Sequence, residues 1–76
     1  MNEWHCDHLD GTLTAVVIAD RGRFLVRLRE PPGESRRPIE FLRWTLKDAR
    51  RAADGLVHAY YPHDCAASGC GAWREL

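Results

Sequence analysis

The chain has 76 residues, 45% of them hydrophobic, and its 11 cationic and 11 acidic side chains give a formal net charge of zero. That length makes one domain, 1–76, small enough to bury only about 60% of the surface its unfolded form exposes, so a staple, a metal or a partner would add needed stability. No apolar run reaches the ~20 residues of a membrane-spanning helix, and the balanced charge is not that of a typical nucleic-acid binder.

Residues 1–10, MNEWHCDHLD, are polar and hold Trp4, His5, Cys6 and His8. They lack the basic and apolar regions of a secretory signal, and the expected location is cytoplasmic. Gly11 opens a β-branched run, Thr12–Ala19, with the composition of a strand. Asp20-Arg21-Gly22-Arg23 reads as a hairpin turn, because Gly22 can take a positive φ. In Phe24–Glu30, the residues Phe24, Val26 and Leu28 alternate with Leu25, Arg27 and Arg29, as in a strand with one buried face. Two prolines and a glycine make 31–35 a loop. Arg36–Trp44 is a third strand that Pro38 confines to an edge or a strand start.

Trp44–Tyr61 predicts a helix. Thr45 followed by Asp48 resembles a capping box. Leu46, Ala49, Ala53, Leu56, Val57 and Tyr60 recur at three- and four-residue spacing and share one face. Gly55 loosens the last turns, and Pro62 ends the pattern. Residues 62–76 read as a coil-like tail with Cys65, Cys70 and Trp73. The expected fold is α+β: a three-stranded antiparallel sheet with one helix packed on one face, β-β-β-α. Its parts are an N-terminal Cys/His segment (1–10), a core (11–61) and a C-terminal Cys/His tail (62–76).

That topology brings the two loop-like termini to one end of the domain, where Trp4 and Trp73 would cap the core. The same segments hold almost all the ligand-type residues. Thiolate and imidazole in a set of four are what Zn²⁺ takes in closed structural sites. The expected ligands are Cys6, His8, Cys65 and Cys70, with His63 and then His5 as alternates and His58 in reserve. The C-x2-C knuckle usual in such sites is absent. The other readings are free cysteines and surface histidines, or a Cys65–Cys70 disulfide, which a reducing compartment disfavours. Three cysteines, being odd in number, argue against a closed disulfide framework.

Charge is unevenly spread: residues 21–51 sum to +6, against −4 for 1–20 and −2 for 52–76. If Phe24, Val26 and Leu28 face the helix, Arg23, Arg27 and Arg29 face away, and Arg37 or Arg43 joins them according to register. Such a sheet fits a DNA major groove. Gly22–Pro31 (GRFLVRLREP) resembles the second-strand motif of the plant AP2/ERF DNA-binding domain, and Thr45–Asp54 (TLKDARRAAD) resembles that domain's helix start. The phage integrase arm-binding domain is similar in its β-β-β-α plan. The resemblance spans roughly half the chain. It implies base and phosphate contacts by Arg27 and Arg29, and a core role for Phe24. The first strand departs from the family in having no arginine, Phe41 and Trp44 fall beside the family's tryptophan motif, and the family lacks the Cys/His termini.

The expected function is a small nucleic-acid-binding domain, not an enzyme. Arg23, Arg27, Arg29 and Arg43 would lie on double-stranded DNA, Arg36 and Arg37 on phosphates, and a structural zinc would sit at the termini. The alternative is a protein–protein adaptor or inhibitor, of phage or accessory origin, that binds through the sheet as a monomer or homodimer. It draws on Val16 and Ile18, which the alternation leaves on the wet face. His63, Asp64 and Cys65 have the residue types of nucleophilic catalysis, but sequence neighbours rarely converge as a triad does.

Overall fold

The structure of the protein, a computed structural model, describes residues 2–31 and 39–76. Five strands and one helix follow in the order β1 (Glu3–His8), β2 (Leu13–Asp20), β3 (Arg23–Arg29), β4 (Glu40–Arg43), α1 (Leu46–Tyr60) and β5 (Arg74–Glu75). The sheet is antiparallel throughout, with strand order β4-β3-β2-β1-β5. The class is the expected α+β, but the sheet has five strands where three were expected, and the termini are not loops. Glu3–His8 pairs along its length with β2, and Arg74–Glu75 adds a short strand beyond it. Arg36 and Arg37, and most of the loop before β4, lie outside the described residues.

Two turns set the registers. Asp20 pairs with Arg23, and Arg21 and Gly22 between them have φ of 53° and 81°, the two-residue type I′ pattern that matches strand twist. Between β1 and β2, Leu9, Asp10 and Gly11 all take positive φ, of 52°, 55° and 84°. Asp10 N–H donates to Gly69 O at 3.3 Å, tying this turn to the C-terminal segment. Gly69 has φ +72°, and a Cβ there would sit 1.7 Å from Asp10 Oδ1.

The core lies between α1 and the sheet. Leu13, Ala15 and Val17 of β2, Val26 and Leu28 of β3, and Ala49, Ala53 and Val57 of α1 are buried, with Phe24, Phe41, Leu46 and Leu56 packed around them. Thr45 caps the helix, its Oγ1 accepting from Asp48 N–H at 3.1 Å. The small side chains Ala49 and Ala53 let the helix axis approach the sheet closely. Tyr60, expected on the buried face, is 47% exposed. Tyr61 instead turns inward and donates its hydroxyl to Glu30 at the end of β3.

The helix backbone crosses β2, β3 and β4 and stops short of β1, which the Asp54 and His58 side chains of the helix approach. On its helix side β1 carries Cys6 and His8, both buried. The segment after the helix covers that side, held by Gly71 N–H donating to Asp7 O at 2.8 Å and by β5. Trp4 and Trp73 pack at the core edge, as expected; Trp4 meets Phe24 at 6.0 Å between ring centroids, and the Arg50 guanidinium lies 5.9 Å over the Trp73 ring. Among the described residues no helix is long and apolar enough to cross a membrane.

Candidate metal centre

In a strand, side chains two apart share a face, so Cys6 and His8 point to the helix side of β1 and His5 to the other. The segment after Tyr60 then passes over the end of β1. His63, Cys65 and Cys70 meet His8 there, and one donor atom from each of the four lies within 4.8 Å of the others. His8 is 2% exposed, and the other three are half-buried.

Four of the six donor separations lie close to those around a tetrahedral ion. Zinc bonds of about 2.0–2.3 Å at tetrahedral angles place donors about 3.3–3.8 Å apart. His8 Nδ1 is 3.3 Å from His63 Nε2 and 3.6 Å from Cys65 Sγ. His63 Nε2 is 3.4 Å from Cys65 Sγ and 3.2 Å from Cys70 Sγ. His63 donates its Nδ1 proton to Tyr61 O, which leaves the lone pair on Nε2. That one lone pair faces three polar atoms and can accept from one of them. Convergence of this kind is what a shared cation resolves.

Protonation fits the same picture. Burial, then the neighbouring His63, hold the His8 pKa below its ordinary value, so its ring is neutral near pH 7 and able to ligate. The Cys65 thiol is pushed up to about 11, first by its hydrogen bond with Cys70 and then by desolvation. Without a cation that thiol holds its proton, and a metal would displace it.

His63, an alternate in the sequence reading, stands in the four, and Cys6 stands outside it. Distance from His8 is not the cause, since donor atoms of the two lie within 4.8 Å; the Cys6 thiol is engaged with the Gly71 carbonyl instead. Cys6 donates its S–H to Gly71 O at 3.4 Å, and burial pushes its pKa up to about 11. It does belong to a second close group, Cys6, His8 and Asp54. His5, on the opposite face, pairs with Glu3 at 3.1 Å, away from the cluster. His58 borders the cluster: its Nε2 is 3.3 Å from Cys65 Sγ, and its ring stacks on His63 at 4.7 Å. All three cysteines are free.

The arginines divide between faces. Arg23, Arg27 and Arg29 lie on the sheet face away from the helix. Arg43 pairs with Phe24, a residue of the helix side, and its guanidinium folds over Phe41 at 4.7 Å and donates to Leu42 O. On the open face Arg27 pairs with Glu40 at 3.2 Å, Arg23 approaches Asp20 at 4.0 Å, and Arg74 donates to Asp7 at 2.9 Å. Between these charges the register lines up Ile18, Leu25 and Leu42 across three strands. Val16, also on this face, is 4% exposed, shut in by its cross-strand neighbours His5 and Arg27.

No family model matches this chain, and neither a curated protein nor a solved structure matches it.

Proposed function

We propose that the protein is a small, non-enzymatic binding domain whose fold is completed by a structural zinc ion, with the open face of the sheet as its working surface. The observation that carries this is the four-donor set of His8, His63, Cys65 and Cys70, with its near-tetrahedral spacing. Two imidazoles and two thiolates suit zinc, and four protein ligands leave no open position for substrate or water. The ion's contribution is structural, fixing a tail poor in apolar side chains over β1. The test is metal content. Purified protein should carry one equivalent of zinc, lost in Cys65→Ser and His63→Ala and retained in Cys6→Ser. Zinc-free wild-type protein that also takes none up on addition would overturn the reading.

The open face suits a protein partner. Its cations are largely paired with carboxylates of the same face, and the apolar row Ile18, Leu25 and Leu42 lies among them. A protein surface with its own mixed charges can meet this pattern without breaking the pairs, whereas a polyanion would compete with Asp20, Glu40 and Asp7. A partner bound by the wild type should be released by Leu42→Glu while zinc content stays at one equivalent. Retention of that partner by the variant would exclude this face.

Nucleic-acid binding is the second reading, and exposed Arg29, with the +6 charge of residues 21–51, favours it. It is in line with the AP2/ERF resemblance of Gly22–Pro31. It requires duplex affinity that falls steeply with added salt, through counterion release, and that Arg27→Ala with Arg29→Ala abolishes without unfolding the domain.

A further inference from the structure

We infer that Asp54 is the positioning residue of the metal centre: its carboxylate takes the Nε2 proton of His8 when His8 binds the ion through Nδ1. The inference rests on the zinc reading and deepens it by naming what holds the most buried ligand.

His8 reaches the cluster with Nδ1, the atom near His63 Nε2 and Cys65 Sγ. An imidazole that ligates through Nδ1 and stays neutral carries its proton on Nε2. That atom is buried and has no hydrogen-bond partner among the described residues. A buried N–H left in this state is costly, and metal-ligating histidines almost always donate their second nitrogen to a carboxylate, a carbonyl or water. His8 also belongs to the close group with Cys6 and Asp54, whose donor atoms lie within 4.8 Å of one another. We assign Nε2 to that group, because Nδ1 already faces His63 and Cys65. Within it the Cys6 thiol is already committed to Gly71 O. Asp54 is the anionic acceptor. It follows buried Ala53 on α1, and its carboxylate is close enough to act electrostatically on His8, Cys6 and Cys65. The helix, whose His58 ring already meets His8 edge-on at 6.0 Å between centroids, would then also be joined to β1 by a hydrogen bond.

The test uses the full chain with zinc alone. Affinity is measured at pH 7 by competition with a chromogenic chelator for the wild type, Asp54→Ala and Asp54→Asn, and far-UV circular dichroism of the metal-free proteins checks that all three fold. Asp54→Ala should bind zinc about 10- to 100-fold more weakly. Asp54→Asn should fall between, since its amide oxygen still accepts but carries no charge. Long-range ¹H–¹⁵N spectra of the zinc-bound wild type should show His8 ligated at Nδ1 and protonated at Nε2, with that proton exchanging faster in Asp54→Ala. Wild-type affinity in both variants, or His8 ligated through Nε2, would overturn the inference and leave the zinc site standing. Failure of the wild type to bind zinc would instead bring down the metal reading itself.

Discussion

The two halves of this domain close by different means. Under α1, the strands β2, β3 and β4 meet the helix with Val17, Val26, Leu28, Ala49, Ala53 and Val57, an ordinary apolar seam. Over β1 there is no helix, and the covering segment, Pro62 to Trp73, is mostly small and polar. What it offers β1 is His63, Cys65 and Cys70 against His8, a few main-chain hydrogen bonds, and Trp73. One half is held by area removed from water, the other by donor atoms gathered at a point. A small chain that cannot bury enough surface along its whole sheet can replace the missing part of its core with a metal clip.

The largest effect should come from breaking the clip. With zinc in excess at about 1,000 times its Kd, chelation should lower unfolding free energy by about 4 kcal/mol, read from urea titrations with and without chelator. Hydrogen exchange should localise the loss: amides of β1, β5 and the tail open first, while those of β2, β3 and α1 keep their protection. Equal loss over both halves would show them to be a single cooperative unit. Val26→Ala, in the apolar half, should cost about 2 kcal/mol and leave zinc stoichiometry unchanged. Gly69→Ala should cost about 1 kcal/mol, because an L side chain is strained at φ +72° and its Cβ displaces the Asp10 carboxylate. Its signature is a weakened junction between the β1–β2 turn and the tail, seen as faster exchange at the Asp10 amide.

The smallest effect is one of pH. Hydrogen bonds from Arg74 and Thr14 hold the Asp7 carboxyl below its usual range. A carboxylate with a depressed native pKa stabilises the fold above its unfolded pKa and loses that contribution as pH falls through the native one. In chelator, so that ligand protonation plays no part, wild-type stability should decline below about pH 4, and Asp7→Asn should flatten that limb. An unchanged acid limb in the variant would remove Asp7 from the account of how β5 is held to β1.

The apolar half was the legible half. The Thr45 cap, the stripe along α1, the alternation of β3 and the Arg21-Gly22 turn follow local rules of spacing and torsion, and they stand in the structure within a residue or two. β1 was missed although its sequence alternates. Trp4, Cys6 and His8 point inward and Glu3, His5 and Asp7 outward, but two of the inward residues are donors and not hydrocarbons, so hydropathy does not mark the strand. β5 has two residues and no local signal; it exists because β1 has an open edge. The meeting of the termini could be read from strand direction. The exact four donors could not, since exchanging Cys6 for His63 depends on tertiary contacts that turn each side chain, Cys6 to the Gly71 carbonyl and His63 to the Tyr61 carbonyl. On the sheet, the alternation put Arg27 and Arg29 on the open face, but their setting among carboxylates comes from cross-strand register.

The separation of the donors along the chain also bears on oxidation. His8 and His63 are 55 positions apart, whereas Cys65 and Cys70 lie close together in the tail. A metal held by all four closes the long loop, while a Cys65–Cys70 disulfide would close only a short one. The entropy of loop closure grows with the logarithm of length, and the difference amounts to about 2 kcal/mol of denatured-state restriction. Oxidising the pair would therefore remove two ligands without replacing the constraint they impose, leaving the tail cross-linked to itself and β1 uncovered.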